Sequence, residues 1–287
     1  MRIVAGMLAL TGVLGAQQLD RARLASQAQS FAEQLANLVC TEVLQQKSIS
    51  YSTRMRIRVG EAALRPIAPK MRERMIRSEL GYALRGKDMP VWGEVRKVID
   101  VDGKNVTPPK KARERLAFGL KSDDERARLK LMEEFMKYGL EGLATDYSLT
   151  LLLFRFGEID RMKFEPQGSE FVGADRVNTF AFSRADTEAG VTVFDGKQAV
   201  KQPLNGVIWL REKDSMPVKI KLLSVLKQDA TSILDEGTVE YVPSKFGSVV
   251  AATVNYRRLI NGVLMLETRY EYKDYQKFGA DAELKFN

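Results

Sequence analysis

Between Leu19 and about Val43 apolar residues return at steps of three and four: Leu24, Ala28, Phe31, Leu35 and Leu38. That period lines one face of an α-helix, with Arg21, Arg23, Gln27, Gln29, Glu33 and Gln34 on the others. The pattern predicts an amphipathic first helix that needs an apolar surface to cover. The period then drops to two. In Arg54-Met55-Arg56-Ile57-Arg58-Val59 arginines alternate with apolar residues, which puts three cations on one face of a strand. Such a face is a polyanion stripe or simply solvated surface, and the lack of interleaved aromatics favours the second. Strands are expected through Met75 to Leu84 and Trp92 to Val101, reversed at Asp102-Gly103, a pair that tolerates positive φ.

Pro108-Pro109 marks a change to helix. Lys110 to Leu120 reads as helical with Arg113, Arg115 and Lys121 outward, and Ser122 with Glu125 forms a capping box for the next helix. That helix carries Leu129, Met132, Phe135 and Met136 on one side, and a third, short helix is expected over Ser148 to Phe156. From about Arg161 the chain reads as strand after strand. The clearest are Met162 and Phe164, Val177 to Phe182, Val191 to Phe194, Val207 to Leu210 and Val218 to Leu226. For the last hairpin, side-chain phase favours a three-residue loop, Ile260-Asn261-Gly262, pairing Tyr256 with Leu266 and Ala252 with Tyr270.

These elements predict an α+β fold: a large curved antiparallel sheet, half-barrel-like, covered by an N-terminal helix and a central helical insert over 109–156. The first residues predict a separate fate. A positive start at Met1-Arg2, an apolar run from Ile3 to Leu14 and the small pair Gly15-Ala16 describe a cleavable signal peptide over 1–16. The run is shorter than the roughly 20 residues that span a bilayer. A single domain over 17–287, soluble after cleavage and periplasmic or secreted, is therefore expected.

Composition narrows the chemistry. The chain has no histidine, which removes Ser-His-Asp and Cys-His nucleophile pairs and histidine-dependent zinc sites. Its one cysteine, Cys40, precludes an internal disulfide and is expected as a small buried hydrophobe near a helix end. Asp100-Val101-Asp102-Gly103 resembles the start of a calcium loop, but Lys104 and Asn105 follow it and the segment reads as a hairpin corner. The pairs Asp123-Asp124 and Glu133-Glu134 point apart on a helix and form no acid/base site by themselves. No metal site, cofactor or catalytic residue is implied. The net charge of +8 on an exported chain points away from nucleic acid; anionic lipid headgroups or acidic envelope polymers are the accessible partners, and dispersed surface solubilisation is the reading the composition favours.

Several segments resemble a family of bacterial exported proteins that has no activity attached to it. They are Leu38-Val39-Cys40-Thr41-Glu42, the strand and turn from Val95 to Lys104, Gly206-Val207-Ile208-Trp209-Leu210, and the closing Tyr270 to Phe278. The outline of helix, long antiparallel strands and helical cover is also similar to the lipoprotein-carrier and outer-membrane lipoprotein-sorting fold. That resemblance is architectural, with no carrier motif matched residue by residue; the first reading it accompanies is a non-catalytic envelope binding protein holding an apolar ligand, an acyl chain or a lipoprotein, between sheet and helices. Candidate ligand-binding residues are Met132, Phe135 and Met136 opposite Trp209, Tyr256 and Tyr270. Their alternative role is to pack together as a closed core. Two other readings stand beside this one: an interaction or scaffold module binding a protein or anionic polymer, and a carboxylate-based hydrolase. Partners in the first reading are lipid, lipoprotein or another envelope component.

Overall fold

The computed structural model describes residues 18–36, 38–50, 69–85, 91–121, 125–142, 145–186, 191–195, 198–228 and 230–277. The expected leader at 1–16, the alternating arginines at 54–59 and Ser122 of the expected capping box lie outside the described residues.

Helix α1 spans Arg21–Leu35 and is capped by Asp20, whose carboxylate accepts from the Arg23 N–H at 3.0 Å. Strands β1 (Leu38–Ser50), β2 (Lys70–Arg85), β3 (Val91–Val101) and β4 (Lys104–Asn105) follow. The insert brings α2 (Pro109–Lys121), α3 (Glu125–Met136) and two 3-10 turns at Tyr147–Phe154 and Ile159–Arg161. The remaining chain is strand: β5 (Lys163–Val172), β6 (Asp175–Arg184), β7 (Val191–Asp195), β8 (Gln198–Gln202), β9 (Leu204–Arg211), β10 (Pro217–Gln228), β11 (Thr231–Pro243), β12 (Val249–Ile260) and β13 (Val263–Lys277). Apart from the β7–β8 hairpin, the strands form one open antiparallel sheet of 11, in the order β4-β3-β2-β1-β13-β12-β11-β10-β9-β6-β5.

The sheet's inner face carries the main core. Leu38, Cys40, Leu44, Ile76, Leu80, Ile208, Ile220, Val239, Tyr241, Val254 and Tyr270 pack there against Leu24, Phe31 and Leu35 of α1 and Leu149, Leu151 and Phe154 of the first 3-10 turn. The insert covers both faces. Val39 and Val95 alternate with Cys40 and Arg96 and so point outward, where they meet Leu116 of α2 and Leu131 of α3 in a second cluster. One turn beyond Leu131, Phe135 reaches the main core.

Two expectations are corrected. The first helix stops at Leu35, and Leu38 to Val43 is strand, so Cys40 is a buried strand residue rather than a helix-end residue. Leu38 continues the helical spacing of Leu35, which disguises a change of period. The last hairpin has a two-residue loop: Ile260 pairs with Val263, and Asn261 and Gly262 take left-handed φ of 50° and 79°. A bulge between Arg258 and Leu259 in the register restores the phase, so Tyr256 faces Thr268 and Val254 faces Tyr270. The Asn-Gly turn preference is kept and the mismatch is absorbed two residues later. The Asp102-Gly103 corner is also left-handed at both residues and joins β3 to β4.

Candidate functional site

Charged residues lie beneath the cover, inside the main core. On β3, Glu94 and Arg96 point inward while Lys97 points outward to an ion pair with Glu134 of α3. Arg96 holds Glu42 of β1 with two bonds, Nε to Oε1 at 2.8 Å and Nη2 to Oε2 at 2.7 Å, and holds Glu94 Oε2 at 2.6 Å. All three side chains are buried, Glu42 completely. The Phe135 and Tyr270 rings flank the guanidinium, with centroids 5.1 and 5.9 Å from its carbon.

Glu94 also anchors the cover. Its Oε2 accepts from the Asp146 N–H at 2.7 Å, and its Oε1 accepts from the Ser148 N–H at 3.3 Å and from the Ser148 hydroxyl. In return the Asp146 carboxylate accepts from the Glu94 N–H at 2.8 Å. On β1, the Gln46 amide plays the same part for the segment before the 3-10 turn. It donates to the Glu141 carbonyl at 3.0 Å and accepts from the Glu141 N–H at 2.8 Å. Tyr241 donates to the Ser148 carbonyl and accepts from the Leu151 N–H at 3.1 Å. Glu141, Asp146, Ser148 and Leu151 are thus tied to the sheet chiefly by side chains reading main chain.

Electrostatics follow from this geometry. Burial pushes the Glu42 carboxyl up, against the opposing pull of Arg96. Burial pushes Glu94 up as well, but Arg96, Ser148 and the Asp146 N–H outweigh it and hold that carboxyl below its ordinary value. Burial lowers Arg96, and the two carboxylates more than reverse the effect. Both Glu94 oxygens are fully engaged, so the cluster holds groups in place rather than presenting a reactive one. Among the described residues no three metal-ligating side chains gather.

The cover has an unusual build. Tyr147–Phe154 is an eight-residue 3-10 run, twice the length at which such runs become uncommon, and it is apolar over most of its surface. It begins after Asp146, a non-glycine residue in the left-handed region (φ 64°), and Gly157 is left-handed (φ 81°) just past its end. Tyr147 lies directly on Gly237 of β11, where a Cβ would stand 1.8 Å from the ring. It also tilts against Tyr256, with centroids 5.6 Å apart. Tyr256 in turn donates to Asp235 at 2.6 Å, and Arg258 holds that carboxylate through two bonds at 2.7 and 2.9 Å.

Of the six residues nominated from the sequence, Phe135 and Tyr270 meet around Arg96, and Tyr256 is buried beside Tyr147. Met136 is exposed at the end of α3. Trp209 points to the outer face, where Lys219 sits 4.2 Å from its ring centroid and Glu170 accepts its indole N–H. Met132 lies in α3. Sequence reasoning passed over Glu42, Glu94, Arg96, Gln46, Asp146 and Ser148. The run Glu94-Val95-Arg96-Lys97 carried the signal: within a strand its adjacent cations must face opposite sides, so one must enter the core.

No family model matches the chain, and no curated protein does. Among solved structures it is similar to a LolA superfamily protein from Nitrosomonas europaea, at 10% identity and a TM-score of 0.35, covering 91% of this chain and 94% of that one. It is similar too to a domain described as an outer membrane lipoprotein-sorting protein from Vibrio parahaemolyticus (10%, TM-score 0.34, 93% and 97%). A third is a DUF1329 family protein from Desulfovibrio piger (8%, TM-score 0.37, 93% and 94%). The likeness is one of overall outline.

Proposed function

We propose that the protein is an exported, non-catalytic binding protein of the cell envelope, a single domain after loss of residues 1–16, that receives an acyl chain between its sheet and its cover. The observation that carries this reading is the cover itself. An apolar 3-10 run of eight residues, bounded by left-handed backbone, closes the inner face of an open sheet. A 3-10 run of that length has poorer hydrogen-bond geometry than an α-helix, so little backbone energy opposes its rearrangement. Its attachments are side-chain bonds at Glu94, Gln46 and Tyr241, which can be released without unpairing any strand. In this structure side chains of the core fill the space beneath. An acyl chain enters by lifting the run and takes the contacts that Leu149, Leu151 and Phe154 now make. Phe135, Tyr256 and Tyr270 belong to the walls it meets.

Titration with a fluorescent long-chain fatty acid tests this. Saturable uptake is expected, displaced by unlabelled fatty acid, with a faster association rate in Ser148→Ala because one attachment is lost. Absence of uptake by wild type and variant alike would end the proposal.

A further inference from the structure

Helices α2 and α3 turn one side to the sheet and leave the other uncovered. Ala112, Leu116 and Gly119 of α2 are buried, and the exposed flank beside them is Lys111, Arg115 and Phe118 at helical spacing. On α3, Leu131 and Phe135 are buried and the open stripe runs Leu129, Lys130, Glu133, Met136 and Lys137. Large apolar side chains stand in these stripes with little protein around them: Phe118 is 70% exposed, Met136 58% and Leu129 48%. Over 109–137 the sequence carries nine Lys/Arg against six Asp/Glu. In the two stripes themselves the exposed charged residues are Lys111, Arg115, Lys130 and Lys137, with Glu133. The two nearby acids most drawn into the fold are occupied elsewhere, since Glu134 pairs with the buried Lys97 and Glu79 of β2 pairs with Arg113. Beside α3 lies an open hollow of about 470 Å³, lined by Arg126, Leu129, Lys130, Glu133, Glu134 and Lys137.

We infer that the outer face of the α2–α3 hairpin docks on an anionic lipid surface, with Phe118, Leu129 and Met136 entering the headgroup layer. Exposed aromatic and aliphatic side chains flanked by lysine and arginine are the combination that binds at such an interface. Cations draw the face to phosphate, and the apolar side chains hold it there. No helix among the described residues is long and apolar enough to cross a membrane. This inference is independent of acyl uptake, because Phe118, Leu129 and Met136 are exposed and take no part in the core beneath the cover.

Vesicle co-sedimentation of the full chain tests it. The protein should pellet with vesicles of equal parts phosphatidylcholine and phosphatidylglycerol, remain in solution with phosphatidylcholine alone, and be released by salt. Reversing Lys111, Arg115, Lys130 and Lys137 to glutamate should weaken binding by about tenfold or more. Phe118→Ser with Leu129→Ser should weaken it while leaving the salt dependence in place. All six positions are exposed, so an unchanged circular dichroism spectrum and melting curve confirm that the fold is intact. Equal binding to both vesicle types, or undiminished binding by the charge-reversed chain, would overturn the inference. So would a soluble polyanion such as polyglutamate that binds as well as the mixed vesicles and binds the serine variant equally, since that describes a surface for acidic polymers.

Discussion

Glu94 and Asp146 hydrogen-bond each other reciprocally, the carboxylate of each accepting from the backbone N–H of the other, at 2.7 and 2.8 Å. One residue sits on β3 of the sheet and the other at the left-handed start of the cover, so this pair fixes where the cover begins. Glu94→Gln removes a charge that Arg96, two main-chain N–H groups and the Ser148 hydroxyl all address. It should destabilise the protein by about 3 kcal/mol or more in urea unfolding, as breaking a buried pair does. Glu42→Gln should cost only about 1 kcal/mol, because among the described residues Glu42 bonds Arg96 alone and Arg96 keeps Glu94.

The same two carboxylates should respond to pH in opposite senses. Glu42 is raised by burial, so its folded value exceeds its unfolded one. Its contribution is complete below the ordinary carboxylate range and is lost as pH rises through the raised folded value. Glu94 is held low by its partners against burial, so its contribution is present above the ordinary range and is lost as pH falls through the lowered value. The wild type's advantage over Glu42→Gln should therefore narrow as pH rises, and its advantage over Glu94→Gln should narrow as pH falls. Urea titrations across the acid and neutral range check this, and parallel profiles for the two variants would contradict it.

Gly237→Ala introduces a methyl group into the Tyr147 ring. The ring must leave its place between Gly237 and Tyr256, at an expected cost of about 1–3 kcal/mol. The double variant with Tyr147→Ala should lose less than the sum of the two single changes, which a thermal-melt double-mutant cycle measures.

Gly262→Ala places a Cβ on backbone at φ 79° with nothing near it. The cost is conformational only, about 1 kcal/mol. Far-UV circular dichroism should stay native while the melting temperature falls.

The outline of the fold was readable because period-two strands and turn pairs such as Asp102-Gly103 are local signals. The end of α1 was hidden because Leu38 fits both the helical spacing behind it and the alternation ahead. The loop at Asn261-Gly262 was misjudged because phase was counted without a bulge, and a bulge is set by the neighbouring strands rather than by the loop. In the candidate site, the aromatics Phe135 and Tyr270 drew attention for their apolar bulk. Arg96 between them did not, because a buried cation becomes legible only when Glu42 and Glu94 are seen to meet it. Trp209 looked like core by composition, yet its odd position beside Ile208 and Leu210 turns it outward.

The central claim is that the inner face beneath Tyr147–Phe154 accepts an acyl chain. Native mass spectrometry of the protein purified from its own host tests this most directly. The account predicts a population heavier by the mass of one acyl lipid, stripped by organic extraction and restored on adding lipid back. A single mass equal to that of the polypeptide, unchanged after incubation with acyl lipids, would contradict it.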